Sequence, residues 1–168
     1  MAKRSGSPVS IAAAAAVAAF GALPIVAHGA GDAAFVNPAS IQWGDAPPAP
    51  PGLPKGAKIA LLDGDPGKPG SATVRLKLPA NYRIAPHMHS KDEDLTVLSG
   101  GLYLGLSDKV EPAKAHALQV GGFHHLPAKT VHYVFTKSPT IVQVHLEGPF
   151  DIVYVNPADD PSKAAPKP

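Results

Sequence analysis

The sequence predicts a single all-β domain whose antiparallel strands close into a barrel or jelly roll. From Lys58 onward, short runs rich in Val, Ile, Leu, Tyr and Thr recur between Gly, Pro and Asp, which is typical of antiparallel sheets. The 20 Pro and 16 Gly among 168 residues disfavour long helices. A chain of this length forms one domain with a hydrophobic core, and closing the sheet removes exposed strand edges.

Nine runs account for the predicted strands. In residues 72–78, small or apolar side chains alternate with Thr73, Arg75 and Lys77, so one face is buried and the other is solvated. A helical pattern competes only at residues 110–115. The predicted strands are Lys58 to Asp63, Ala72 to Leu78, Asp94 to Leu98, Leu102 to Leu106, His116 to Val120, Phe123 to Leu126, Thr130 to Thr136, Thr140 to Leu146 and Phe150 to Val155.

The first 30 residues predict a secretory signal peptide rather than a part of the fold. Lys3 and Arg4 precede an apolar run at residues 11–27, and small residues follow that run. The run is shorter than the about 20 residues that a spanning helix needs, and a Gly and a Pro interrupt it, so a membrane anchor is the weaker alternative. The mature protein is expected to be periplasmic or secreted, without a membrane partner.

The remainder divides into three segments. Residues 31–57 contain Trp43 and a Pro-rich stretch, which predicts an extended segment lying over the barrel. Residues 58–156 form the β domain. Residues 157–168, rich in Pro, Ala and Lys, are predicted to be a disordered tail.

Charge and cysteine content exclude several functions. After residue 30 the chain has 13 basic and 13 acidic residues, so it lacks the basic surface that binds nucleic acid. It also lacks cysteine, which excludes disulfides and thiolate ligands, so any bound metal must use nitrogen and oxygen ligands. No nucleophile elbow, phosphate loop or dinucleotide fingerprint is present.

A group of histidines and one carboxylate indicates a metal site. On a strand, His87 and His89 share a face, and Glu93 has the same parity. His132 lies about 40 residues further on, among apolar and aromatic neighbours where an unpaired imidazole is costly. Three imidazoles and a carboxylate suit a divalent first-row metal. Spacing alone leaves open that these histidines are surface residues or core groups bonded to the backbone.

Residues 81–100 resemble the first sequence motif of the cupin superfamily. That motif has a glycine, five residues, His-x-His, three or four residues, Glu, six residues and a glycine. His87, His89, Glu93 and Gly100 are in register with it. Asn81 replaces the first glycine and also tolerates a left-handed turn.

Residues 121–136 resemble the second cupin motif, which has a glycine, five residues, Pro-x-Gly, two residues, His, three residues and Asn. Gly121, Pro127 and His132 match, whereas Lys129 replaces the glycine and Thr136 the asparagine. The Lys129 substitution bears on whether the loop before His132 keeps its geometry.

The resemblance implies a cupin-type β-barrel, or double-stranded β-helix, with a metal inside. Its implied ligands are His87, His89, Glu93 and His132, with Asp94 as the reserve carboxylate. The implied cofactor is one divalent transition metal, namely Fe, Mn, Cu, Ni or Zn. The resemblance also makes a homodimer possible.

Other polar residues are given ordinary interpretations. His124 and His125 are adjacent, so only one can face inward, and exposure is expected for each. His145 and Glu147 are expected in solvent, with support of a ligand as the alternative. Tyr103 and Tyr133 are expected to pack. No catalytic residue outside the ligand set is assigned.

Two classes of function remain. The first is a metal-dependent enzyme that acts on a small oxygen-rich molecule. A dioxygenase leads by resemblance to oxygen-using cupins, followed by a decarboxylase or isomerase. The second is a binding protein that holds a metal or small ligand without turnover. A second acid–base group facing the metal would favour the enzyme, and Tyr103, Gln143 and His145 are the candidates.

Overall fold

The protein folds into two antiparallel β-sheets that face each other, as a computed structural model describing residues 35–46 and 52–163 shows. This confirms the all-β prediction. The strands are β1 (Gly44–Asp45), β2 (Lys58–Asp63), β3 (Gly70–Leu78), β4 (Arg83–Met88), β5 (Glu93–Ser99), β6 (Gly101–Gly105), β7 (His116–Gln119), β8 (Phe123–Leu126), β9 (His132–Thr136), β10 (Thr140–Gly148) and β11 (Val153–Tyr154). Within the described ranges, the helical segments are 3-10 turns of three residues each: Pro38–Ser40, Pro112–Lys114, Pro157–Asp159 and Pro161–Lys163.

The two sheets have different strand orders. The six-stranded sheet has the order β1-β2-β3-β10-β5-β8, and the five-stranded sheet has the order β11-β4-β9-β6-β7. In β10, alternate side chains are buried and the others face solvent, because one face of the strand covers the core. Val97 of β5 and Val142 of β10 are completely buried between the sheets. The site described below lies in this same interior.

Strand β4 is not among the nine predicted runs, although the parity argument for His87 and His89 assumed an extended segment there. Its pairing with β9 shifts register between Ile84 and His87, and the interruption contains Pro86, which has no N–H to donate. The Pro86 carbonyl instead accepts from the backbone N–H of Val155. A proline-broken run therefore still forms the strand that carries His87.

The segment before β2 is fixed to the barrel by hydrogen bonds. The Tyr82 hydroxyl donates to the Pro54 carbonyl, and the Tyr154 hydroxyl donates to the Gly52 carbonyl at 3.0 Å. Trp43 is half-buried, and the Lys77 ammonium lies 4.5 Å from its ring centroid. These contacts hold Trp43, Gly52 and Pro54 against the barrel.

The tail differs from its prediction of disorder after residue 156. Residues 157–163 form two 3-10 turns, because the Asn156 side chain accepts from the Ala158 N–H at 3.1 Å and Asp160 accepts from the Ser162 N–H at 3.0 Å. The predicted signal peptide lies outside the described residues. Among residues 35–46 and 52–163, no helix has the length and apolar character needed to cross a membrane.

Candidate metal centre

Three predicted ligand histidines meet at one end of the interior. His87 on β4 and His132 on β9 are direct cross-strand partners, and their ring centroids are 4.1 Å apart. His89 follows the end of β4, with its ring centroid 5.0 Å from that of His87 and 5.2 Å from that of His132. All three are buried. One ring nitrogen from each lies within 4.8 Å of the other two, so the three histidines can hold one ion.

Backbone carbonyls orient all three rings. Each Nδ1 lies next to a carbonyl oxygen: His87 to Ala85 at 2.8 Å, His89 to Asp151 at 2.6 Å and His132 to Thr130 at 3.0 Å. A carbonyl only accepts hydrogen bonds, so each neutral ring carries its proton on Nδ1 and keeps a lone pair on Nε2. This is how metal-binding histidines are oriented in proteins. Phe150 also stacks on the His89 ring at 4.4 Å.

Glu93 reaches the same point from the opposite sheet. It is the first residue of β5, and its Oε2 lies 3.8 Å from Nε2 of His89 and 3.8 Å from Nε2 of His132. The neighbouring carboxylate, Asp94, faces away and contacts His125 at 2.7 Å. Glu93 is therefore the carboxylate beside the histidines.

The electrostatics of the site favour the protonation states that bind metal. Burial lowers the pKa of His87 to about 3, and the neighbouring imidazoles add to the shift. Burial also lowers the pKa of His132. For Glu93, burial alone would raise the pKa, but the hydrogen bond from His124 and the adjacent imidazoles outweigh it and lower the pKa to about 2. At neutral pH, His87 is neutral and Glu93 is ionised.

His124 is the site residue that the sequence prediction missed. Its side chain is only 10% exposed, and its Nε2 lies 3.4 Å from Glu93 Oε2, whereas the adjacent His125 is 51% exposed. The expected exposure of His124 is therefore wrong, and that of His125 is right. The two pairs alternate across β5 and β8, with Glu93 and His124 facing inward and Asp94 and His125 facing outward. Strand parity allowed one histidine inside but did not indicate which.

The other polar candidates lie away from the site. Tyr103 stacks on Phe135 at 4.9 Å. His145 bonds to Thr73 and Gln143 along the exposed face of β10, and Glu147 is exposed on the same face. The Tyr133 hydroxyl donates to the Glu111 carbonyl at 2.7 Å. Thus neither Tyr103, Gln143 nor His145 lies beside the three histidines as a second acid–base group.

Both positions that replace a motif glycine keep a left-handed backbone. Asn81 has φ 58° and Lys129 has φ 66°, the region that glycine favours. The Lys129 N–H donates to the His89 carbonyl at 2.7 Å, so this turn ties the loop before His132 to His89. The loop geometry is retained although the glycine is not.

Two buried nitrogen atoms at the site have no hydrogen-bond partner among the described residues, namely His89 Nε2 and His124 Nδ1. Of these two residues, His89 belongs to the group of three histidines that could hold an ion. A buried polar atom without a partner costs about 1–3 kcal/mol, and a metal ion would remove that cost. Three nitrogen donors and one carboxylate therefore fit a divalent transition ion.

The site opens into a cavity of about 110 Å³ between the sheets. The three histidines, Glu93 and His124 line one part of it. Its other described walls are apolar, including Leu95, Val134 and Val144. A small molecule in this space would meet both the histidine cluster and a hydrocarbon surface.

Comparison with protein families places most of the chain in one family. A family model described as "Domain of unknown function (DUF4437)" matches residues 26–153. No curated protein matches the sequence significantly.

Several solved structures share the fold. The polyketide cyclase RemF from Streptomyces resistomycificus aligns with a TM-score of 0.57 and 18% identity over 76% of this chain and 89% of that one. A proposed acetylacetone dioxygenase from Methylibium petroleiphilum aligns with a TM-score of 0.56 and 18% identity, over 76% of this chain and 84% of that one. An RmlC-like cupin from Shewanella frigidimarina aligns with a TM-score of 0.53 and 13% identity, over 67% of this chain and 88% of that one. These likenesses establish the fold.

Proposed function

Because this chain belongs to the DUF4437 family and has the cupin fold, we propose that it holds one divalent transition metal through His87, His89, Glu93 and His132 and acts on a small molecule beside that ion. The proposed reaction is a dioxygenase-type oxidation.

One observation carries the metal assignment. Three buried imidazoles each place Nδ1 on a backbone carbonyl and turn the other nitrogen toward a common point. Histidines buried only for packing have no reason to share this orientation. The carboxylate of Glu93 adds the negative charge that offsets part of the charge of a divalent ion.

The donor set suits Fe, Mn, Cu, Ni or Zn, and four protein ligands leave a position open on ions that take five or six. When bound, such an ion supplies Lewis acidity and, if it is redox-active, electron transfer to dioxygen. The side chains around the ion have three further roles. His124 holds the Glu93 carboxylate, Phe150 packs against His89, and the apolar walls keep the reacting molecule away from bulk water.

Support for the oxidation comes from the donor set together with the structural likeness to a proposed acetylacetone dioxygenase. The equal likeness to a polyketide cyclase shows that this fold hosts other chemistry, so the reaction must be tested directly. A non-catalytic binding protein and a metal-dependent decarboxylase or isomerase are the alternatives. Export is part of the proposal and is supported by the apolar leader pattern of the first 30 residues.

Oxygen uptake tests the proposed reaction. Chain lacking residues 1–30 would be reconstituted separately with Fe, Mn, Cu, Ni and Zn, and oxygen consumption would be followed with pentane-2,4-dione and other small 1,3-dicarbonyl compounds. We expect uptake proportional to the dicarbonyl consumed with at least one redox-active metal. The His87→Ala variant should be inactive, and His125→Ala, which changes an exposed histidine outside the cavity, should match the parent.

Metal-loaded protein that consumes no oxygen with any redox-active metal and any of these compounds would contradict the oxidation. The same samples, assayed for carbon dioxide release and for isomerised product, would then distinguish a decarboxylase or isomerase from a binding protein.

A further inference from the structure

The chemistry of the cavity walls specifies what kind of molecule can lie beside the histidines. The wall next to the cluster is built from two cross-strand pairs. Ile84 faces Val134 on the sheet that carries His87 and His132, and Leu95 faces Val144 on the sheet that carries Glu93. All four line the cavity. A molecule that contacts the cluster therefore extends directly into hydrocarbon.

The described residues that line the cavity offer hydrogen-bonding side chains only at the histidines and Glu93. Among the described residues that line the cavity, the polar side chains are the three histidines, Glu93 and His124, and no Lys, Arg, Asn, Gln, Ser or Thr is included. Strands supply most of the rest of the wall, and their backbone groups are paired within the sheets. Loop residues without polar side chains complete it, namely Ala46, Gly52, Leu53, Pro66, Phe150 and Ile152. A hydroxyl or carboxylate placed there would lose its water without gaining a partner.

Size adds a second limit. The cavity of about 110 Å³ is comparable with the roughly 150 Å³ apolar cavity that accommodates benzene, so it suits a small molecule. Sugars and sugar acids carry oxygens on all sides, so they conflict with the apolar walls. The expectation of an oxygen-rich substrate is therefore narrowed to one with its oxygens at a single end.

We propose that the substrate is a small molecule with an oxygen-donor head, which lies toward the histidine cluster, and a short hydrocarbon body, which lies between Val134 and Val144. This inference rests on the proposed metal site. It specifies the hydrocarbon body of the substrate, called the tail below, which a metal ion alone does not select.

Two hydroxamates that differ only at the tail test this inference. Propanohydroxamate and glycolohydroxamate have the same chelating head and the same number of heavy atoms, but one ends in a methyl and the other in a hydroxyl. Titration calorimetry would measure each against protein loaded with the metal that it retains. We expect propanohydroxamate to bind at least about 10-fold more tightly, because the hydroxyl loses its hydrogen bonds to water. With the free metal ion, the two should differ little.

A cavity-filling variant locates the tail. Val144→Phe places a ring inside the cavity, and Val153→Phe is the matched control at an exposed position. We expect Val144→Phe to retain the metal and lose at least about 10-fold in propanohydroxamate affinity, with Val153→Phe unchanged. If Val144→Phe does not fold, Val144→Leu replaces it as the smaller change.

The outcomes separate the two proposals. Protein that binds no metal contradicts the proposed function. Protein that binds metal but takes glycolohydroxamate as tightly as propanohydroxamate, or whose folded Val144 variant binds like the parent, contradicts the inferred tail and leaves the metal site standing.

Discussion

His132 lies directly opposite His87 across β4 and β9, and each imidazole donates its Nδ1–H to the carbonyl two residues earlier in the chain. The same local hydrogen bond thus turns the Nε2 atoms of both histidines toward one point. His89 reaches that point by donating to the distant Asp151 carbonyl instead. Hydrogen bonds to backbone carbonyls therefore set the orientation of all three rings.

The first prediction concerns acid stability of the metal-free protein. Below its ordinary pKa of 6.5, an unfolded histidine takes up a proton, whereas folded His87 stays neutral until about pH 3. The unfolded state then binds more protons, so the free energy of unfolding falls as pH falls from 6.5 toward 3, by up to about 1.4 kcal/mol per pH unit for this group. Above pH 6.5, His87 is neutral in both the folded and the unfolded state, so it no longer lowers the free energy of unfolding.

Urea unfolding at pH 7, 6 and 5 with a chelator present measures this slope. His87→Gln should show a shallower decline than the parent, whatever its stability at pH 7. His125→Gln, at an exposed position, should decline like the parent. Equal slopes for the parent and His87→Gln would contradict the buried neutral state of His87.

The second prediction concerns His124, which donates to Glu93. Replacing it by Leu leaves the carboxylate without that donor, and we expect a roughly 10- to 100-fold loss of metal affinity in competition with a chelator. His124→Gln keeps an N–H donor and should recover part of the loss. His125→Leu is the control on the outer face of the same strand. Equal affinities for His124→Leu and His124→Gln would show that His124 acts only by filling space.

The third prediction distinguishes the two adjacent carboxylates. Glu93→Gln removes the charge beside the histidines, and we expect metal affinity to fall by more than about 100-fold, beyond the cost of losing a residue that only supports a ligand. Asp94→Asn should bind metal like the parent, because Asp94 faces His125 on the outer surface. A larger effect at Asp94 would assign the ligand to the reserve carboxylate.

The fourth prediction concerns the left-handed turn at Lys129. A side chain in this region costs about 1–2 kcal/mol, and glycine removes that cost while adding about 0.5–1 kcal/mol of unfolded-state entropy. Lys129→Gly should therefore raise the free energy of unfolding by up to about 1.5 kcal/mol, measured by urea unfolding. Lys91→Gly, in an exposed turn without positive φ, should lower it. A loss of stability in Lys129→Gly would contradict the strain at this position.

Strand parity and the two motifs anticipated much of this geometry. The alternation from residue 72 to 78 predicted β3, and the motif spacing predicted that His87, His89, Glu93 and His132 would converge. Parity correctly selected Glu93 over Asp94 as the inward carboxylate, but the parity argument assumed one continuous strand from His87 to Glu93. A turn separates His89 from Glu93, so Glu93 reaches the cluster from the other sheet.

His124 and the cavity walls could not be read from the sequence. In a His–His pair, alternation puts one ring inside, but only the pairing of β8 with β5 shows that His124 is the inward one. The apolar walls likewise arise from strands far apart in sequence, such as Leu95 facing Val144. Both features depend on register between strands, which local patterns do not specify.

Metal stoichiometry tests the central claim most directly. Protein without residues 1–30 would be reconstituted with each candidate metal, freed of excess ion and measured by elemental analysis, alongside His87→Ala, His132→Ala and His125→Ala, with circular dichroism confirming that each is folded. The account predicts one equivalent of metal in the parent and in His125→Ala, and none in the other two. An empty parent, or full occupancy in folded His87→Ala and His132→Ala, would contradict it.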